Sequence, residues 1–323
     1  MRIIMNTYPV AFQCPGGGEI QLLKSKETLE QLGHEIILFN QWKTDLDDCD
    51  VIHHFSVQGG SSNFCNYVKY STKKPLVISP ILWIGQDTSD YPMHEINYLL
   101  SIANAICPNS NSETEKFLKA FEAPIEKYHV THNGIDDIFH KRIDSQLFRE
   151  HFNIHEPFIL CVGNIETRKN QHRLVKAAEQ AGIKLVLIGH IRDQNYFNAS
   201  AINESNNTTY LGALDHHSPL LRSAYSACKV FALPSLLETP GLAALEAAAS
   251  NCKILITQEG CTKEYFEDFV TYCDPYDINS ISNGLNYARS FSSENNIAST
   301  YSWLNCGKQL EVAYQFALDQ KSH

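Results

Sequence analysis

Short runs of β-branched and aliphatic residues recur along the chain, with amphipathic stretches between them. RIIMN (2–6), HEIILF (34–39), DVIHH (50–54), PLVIS (75–79), AICP (105–108) and YHVT (128–131) read as buried strands. Between the first two, Ile20, Leu22, Leu23, Leu29 and Leu32 form one apolar helical face. Gly33 follows it, where a left-handed C-cap is favoured. Strand and helix periods that alternate in this way predict a parallel, doubly wound sheet with right-handed crossovers. The polar stretch DSQLFREHFNIHEP (144–157) interrupts the alternation, which resumes with FILCVG (158–163), IKLVLIG (183–189), TTYLG (208–212), KVFALP (229–234), KILIT (253–257) and VTYC (270–273).

An α/β chain of two Rossmann-like β/α/β domains facing a cleft accounts for the 323 residues. The expected bounds are 1–143 for the first domain, 157–293 for the second and 294–323 for a helical segment that packs back on the first domain. In open parallel sheets ligands bind beyond the carboxyl ends of the strands, so the residues just after each strand matter most. These include Gly16-Gly17-Gly18, His53-His54 and Asn133-Gly134-Ile135-Asp136 in the first half. In the second half they are GNIETRKN (163–170), Gly189-His190 and the segment after Leu233.

Thirty-six acidic against 26 basic side chains give a formal charge of −10. With no basic tail or patch, that balance argues against nucleic acid and against an anionic lipid surface as partners. The ten cysteines show no C-x-x-C and lie in apolar runs, as small buried hydrophobes do, which suits reduced thiols in a cytoplasmic protein. MRIIMNTYPV is too short an apolar run for a signal peptide, and no stretch approaches the roughly 18 apolar residues of a membrane span.

The most informative segment is LPSLLETPGLAALEAAASNCKILIT (233–257). A strand ends at Leu233-Pro234, and Thr239 reads as N-cap of a helix over about 240–249, with Pro240 at its first position. The amides of Gly241 and Leu242 at that helix start, with the positive end of the dipole, suit a phosphate. Glu246 lies six residues past Pro240, roughly 9 Å along the axis, where a carboxylate can accept hydrogen bonds from ribose hydroxyls. Glu238 precedes the helix on the other side, where a sugar would project.

Glu-x(7)-Glu within PSLxExxGLxxLEAxAxN, together with GNIExRKN (163–170) and NGID (133–136), resembles the retaining GT-B-fold glycosyltransferases of family 4. The likeness runs from Pro15 to about residue 290. It implies that Glu246 holds the nucleotide ribose, Glu238 the donor sugar, and the amides at 241 and 242 the distal phosphate. It also implies that Arg168 and Lys169 hold the donor diphosphate, stabilising charge on the departing nucleotide without a metal. Gly17 and Gly18 would let the first domain's backbone approach the same phosphates. Retention in the family needs no enzyme nucleophile, because the leaving phosphate helps to deprotonate the acceptor.

Two positions depart from the family pattern. Where members carry a His after the fourth strand, this chain reads PLVISPILWIGQD, which leaves Ser79, Asp87 and His94 as acceptor-side candidates. Pro240 stands where an aromatic residue is usual. Asn164 also replaces a further Arg found in some relatives. His53-His54, His129/His132, His151/His155 and His216-His217 lack Cys or Glu at ligand spacing, so no metal is expected. Asp45-Leu46-Asp47 reads as a solvated loop, and Trp42, Trp83 and Trp303 as packing residues. The resulting expectation is a metal-independent retaining hexosyltransferase, with no cofactor, that moves sugar from a nucleotide-diphosphate-sugar to a glycan or other hydroxyl acceptor. Its rivals are a GT-B-like nucleotide-sugar epimerase and a non-catalytic nucleotide-sugar-binding partner.

Overall fold

The computed structural model describes residues 1–13, 15–85, 87–89, 91–291 and 297–320. It divides into two compact units, Met1–Gly134 with Trp303–His323, and Ile135–Ser302. The seam thus falls nine residues before the expected position at 143. Ile135 pairs with Ser302 in an isolated parallel bridge and donates to the Tyr301 carbonyl at 2.7 Å, which ties it into the second unit. The stretch expected as a linker is also part of that unit. Gln146–Phe152 is a helix that packs on the helix Pro219–Ala227, with Phe148 buried and its amide bonded to Ser223 Oγ. The expected tail boundary at 293/294 lies outside the described residues.

The first unit is a five-stranded parallel sheet of β1 (Arg2–Thr7), β2 (Glu35–Leu38), β3 (Val51–Phe55), β4 (Leu76–Ser79) and β5 (Ala105–Ile106), in the order β2-β1-β3-β4-β5. Burial on both faces explains its nearly unbroken aliphatic strands. One face packs on the helices Ser61–Ser71, Met93–Ile102 and Asn111–Ala120 through residues such as Cys65, Leu99 and Phe117. The other packs on Gly17–Gln31 and on the C-terminal helix Trp303–Asp319, which contributes Leu310, Ala313, Tyr314 and Ala317. The C-terminal helix therefore does fold back on the first sheet. YHVT forms no ladder strand: it is extended beside β5 and makes a single bridge, Ile106 to Tyr128.

Gly17–Gln31 starts as its sequence dictates. Gly16 is the N-cap, its amide bonded to Glu19 Oε2 at 2.7 Å, and Tyr8 donates to the other Glu19 oxygen. Gly33, at φ +89°, ends the helix in the left-handed conformation anticipated for it.

The second unit is a six-stranded parallel sheet of β6 (Phe158–Val162), β7 (Lys184–Ile188), β8 (Thr208–Tyr210), β9 (Val230–Leu233), β10 (Ile254–Thr257) and β11 (Thr271–Cys273). Its order, β11-β10-β9-β6-β7-β8, is the doubly wound dinucleotide-fold order. The winding reverses between β6 and β9, so the ends of these two strands flank the position where such sheets bind ligands. Cys49, Cys65, Cys107, Cys161, Cys228, Cys252, Cys273 and Cys306 are free thiols. Among the described residues, no helix is long and apolar enough to cross a membrane.

Candidate functional site

Beyond β6 the chain passes through Gly163 into a short 3-10 turn, Thr167–Lys169, and then the helix Gln171–Gln180. Asn170 joins the two in the left-handed conformation, at φ +59°. Its buried amide donates to the carbonyls of Pro234 (2.9 Å), in the loop after β9, and Pro275 (2.8 Å), just past Cys273, which clamps the turn to both segments. Two further bonds fasten that loop: the Leu236 amide to the Arg168 carbonyl at 2.8 Å, and Arg168 Nη1 to the Leu237 carbonyl at 3.0 Å. The motifs 163–170 and 233–246, distant in sequence, thus meet at the switch point of the sheet.

At their meeting point Lys169 Nζ donates to Glu238 Oε1 at 2.6 Å, and Arg168 Nη1 lies 3.8 Å from the same oxygen. Glu238 is 3% exposed. Burial pushes its carboxyl up, but the charges of Lys169 and Arg168 and the Lys169 hydrogen bond outweigh that, so its pKa lies below the ordinary value. Glu238 is therefore a carboxylate at neutral pH. Arg168 remains half-exposed, with Nη2 on Glu166 Oε1 at 3.0 Å and Arg192 3.7 Å from the other Glu166 oxygen. The cluster presents cationic groups beside a fixed anion, an arrangement suited to a ligand that carries both phosphate and hydroxyl groups.

The backbone at Glu238 is positioned by the loop after β10. Its amide donates to Glu259, its carbonyl accepts from Cys261, and the intervening Gly260 (φ +102°) lies so close that a Cβ there would sit 1.9 Å from the Glu238 carbonyl oxygen. The helix that follows spans Leu242–Ala249, with Gly241 (φ +93°) as N-cap and a cis Thr239–Pro240 bond. This corrects the expected start. Thr239 is not the N-cap and Pro240 is not the first helical residue, because the chain turns at Gly241, where a side chain would press on Leu233 and Glu238. The amides of Leu242 and Ala243 are those that the helix geometry leaves without a carbonyl one turn behind.

Glu246, on the same helix, is 8% exposed. Tyr225 Oη donates to its Oε2 at 2.7 Å, and His216 Nδ1 lies 3.5 Å from its Oε1. Burial, and then the charge of Glu246, raise the Tyr225 phenol well above its ordinary pKa, so it stays a proton donor to that carboxylate. Tyr225, His216, Glu166 and Arg192 were not assigned roles from sequence. Tyr225 is buried in the helix Pro219–Ala227, and only the fold brings these groups beside the motif glutamates.

The candidates of the first unit are placed differently. Gly17 and Gly18 begin the helix after β1, and a Cβ on Gly18 would stand 2.9 Å from Ile81 Cγ2, so close helix packing accounts for that glycine. Ser79 is fully buried and bonded to His53 Nε2 at 2.9 Å, while His53 Nδ1 meets Tyr314 Oη at 2.8 Å. Ser79 is thus a core residue and no acceptor-side group. Asp87 and His94 are exposed. Asp47 donates its amide to Asp45 Oδ1, the turn of a solvated loop. Trp303 packs against Gly134 and Lys116 lies over the Trp83 ring, whereas Trp42 is 83% exposed, which corrects its reading as a packing residue.

Residues 143–299 match the family described as glycosyl transferases group 1. An uncharacterized glycosyltransferase of Methanocaldococcus jannaschii is 24% identical over 251 residues, 70% of this chain and 64% of that protein. A Campylobacter jejuni 4-alpha-N-acetylgalactosaminyltransferase acting on a diphospho-undecaprenol-linked sugar is 26% identical over 180 residues, 54% of this chain and 47% of that protein. The chain therefore spans less than two thirds of the length of either relative. Among solved structures, sucrose-phosphate synthase from Thermosynechococcus elongatus superposes with TM-score 0.73 at 17% identity, covering 100% of this chain and 98% of the other. Anabaena HepE in complex with UDP-glucose gives 0.71 at 17% identity, with coverages of 100% and 98%. These likenesses identify the fold as that of the GT-B glycosyltransferases.

Proposed function

We propose that this chain, whose residues 143–299 match the glycosyl transferases group 1, transfers a sugar from a nucleoside diphosphate sugar to a hydroxyl acceptor with retention of anomeric configuration. The observation that carries this reading is the Lys169–Glu238 pair, flanked by Arg168, at the β6/β9 switch point. Arg168 and Lys169 would hold the diphosphate, one as a planar fork and the other as a point charge, and take up charge as the sugar bond breaks. The start of the Leu242–Ala249 helix would receive the distal phosphate, Glu246 the ribose hydroxyls, and Glu238 the hydroxyls of the transferred sugar.

Glu238 and Glu246 are acceptors of hydrogen bonds in this scheme, and neither attacks carbon. The departing phosphate oxygen takes the proton of the incoming hydroxyl on the same face of the sugar, so one bond breaks as the other forms and no enzyme nucleophile intervenes. Two cations already fixed beside the diphosphate supply the charge stabilisation that a metal supplies elsewhere, which supports a metal-independent transfer. The Anabaena neighbour was solved with UDP-glucose, and that supports a nucleotide sugar of this class as the donor. The test is incubation with nucleotide sugars and a panel of sugar acceptors in the presence of a chelator, with proton NMR of the new anomeric linkage. Retention is expected; an inverted linkage, or isomerised donor with no acceptor used, overturns the reading.

A further inference from the structure

Two adjacent histidines in the second unit aim at one carboxylate oxygen. His216 Nε2 lies 3.4 Å and His217 Nε2 4.0 Å from Asp136 Oδ2, and the three ligand atoms all fall within 4.8 Å of one another. Consecutive side chains diverge on a regular helix or strand. Here the residues lie in a turn just before the helix Pro219–Ala227, where Asp215 Oδ1 accepts from the His217 amide and the Asp215 carbonyl from the Ser218 amide. That turn sets the rings at 87°, with centroids 5.1 Å apart, so both imidazoles converge. Phe139, 5.2 Å from the His216 ring, braces it from a third side.

The outer contacts point to a metal as well. His216 Nδ1 faces Glu246 Oε1 at 3.5 Å, and Tyr225 occupies the other oxygen of that carboxylate. A carboxylate on the far nitrogen fixes the tautomer that leaves the Nε2 lone pair for a metal, and such partners orient metal-bound imidazoles generally. Tetrahedral zinc, with bonds of about 2.0–2.1 Å, holds its ligand atoms roughly 3.3 Å apart. The His216–Asp136 separation of 3.4 Å matches that spacing, and the exposed His217 ring, 4.0 Å from the same oxygen, lies just outside it. Two imidazoles and a single carboxylate suit zinc and its neighbours in the first transition row; calcium and magnesium require oxygen cages.

We propose that Asp136, His216 and His217 bind one zinc-class divalent ion, with the fourth position open to water, fastening the segment 135–140 to the loop after β8 and holding His216 against Glu246. The ion would touch none of Arg168, Lys169 or Glu238 and would meet the proposed donor site only through His216 beside Glu246; binding of the metal itself does not depend on the donor reading. The test uses the metal-stripped, untagged full chain titrated with zinc chloride by calorimetry, with cobalt absorption as a report of tetrahedral ligands. One ion per chain is expected, together with a zinc-dependent rise in Tm. His217→Ala, chosen because the side chain is exposed, and Asp136→Asn should each weaken binding at least ~10-fold. His151→Ala, an exposed histidine elsewhere, should leave it unchanged. Wild-type affinity in both H217A and D136N, or no stoichiometric binding by the wild type, overturns the proposal.

Discussion

Lys169 and Glu238, 69 residues apart in sequence, form a charge-assisted hydrogen bond of 2.6 Å in which neither side chain is more than 13% exposed. Removing either partner should therefore affect stability as well as the proposed transfer. Lys169→Ala leaves a buried carboxylate whose nearest remaining cation is 3.8 Å away, and should cost on the order of 3 kcal/mol of stability as well as activity. Glu238→Gln removes the buried charge and should cost less. Urea unfolding of the two variants checks the ordering.

Arg168 behaves differently because its side chain is 46% exposed and its charge is partly screened. Arg168→Ala should leave urea unfolding within about 1 kcal/mol of wild type while lowering kcat by roughly 10²-fold, the loss typical of one electrostatic donor removed from a transition state. A large loss of stability with normal turnover in the surviving protein would remove Arg168 from the site.

Tyr225→Phe deletes the phenol that holds Oε2 of Glu246, the carboxylate proposed to bind ribose, at 2.7 Å. The carboxylate keeps its charge but loses its fixed rotamer, so nucleotide affinity should fall by about 10-fold, the equivalent of ~1.4 kcal/mol. Glu246→Gln should exceed that loss. Calorimetric titration with the nucleoside diphosphate alone separates this binding effect from turnover.

Acid sensitivity should trace to β3. Burial depresses both His53 and His54 from 6.5 to about 3, so both stay neutral in the fold and take up protons when the chain unfolds. Between those values the unfolded state binds more protons. Stability must then rise with pH, by up to about 1.4 kcal/mol per pH unit for each histidine, and be lost as pH falls below 6.5. Neither ring nitrogen of His54 has a hydrogen-bond partner. His54→Leu should consequently flatten the dependence of stability on pH between 6 and 4; an unchanged slope would contradict the assignment.

Gly260→Ala should be among the most damaging single substitutions in the site. The added Cβ would stand 1.9 Å from the carbonyl oxygen of Glu238, at a backbone φ of +102°. Displacing that carbonyl moves the residue that Lys169 holds, so activity and Tm should fall together. Retention of wild-type kcat would show that the backbone of Glu238 tolerates movement.

The strands were legible because buried parallel strands are written as unbroken runs such as FILCV and IIMN, and the loops after them because ligand chemistry collects there. Strand order was not legible. That β6 and β9 are neighbours is a product of crossover packing, and it alone brings Arg168 and Lys169 to Glu238. The helix start at Leu242 escaped because Thr-Pro-Gly reads locally as cap and first turn, whereas Gly241 adopts a conformation dictated by Leu233 and Glu238 beside it. The seam at 134/135 escaped for a similar reason, since Trp303 packs on Gly134 from the far end of the chain. Asp136, His216 and His217 carry no ligand spacing in sequence, and the fold alone makes them neighbours.

The central claim is that the second unit binds a nucleoside diphosphate sugar through Arg168, Lys169, Glu238 and Glu246. Its most direct test is titration calorimetry of the wild type and of Glu246→Gln with UDP-, GDP- and ADP-sugars. One nucleotide should bind the wild type in 1:1 ratio and bind Glu246→Gln at least ~10-fold more weakly, with the variant's Tm unchanged. Equal affinity in the two proteins, or no binding of any nucleotide sugar by the folded wild type, would contradict it.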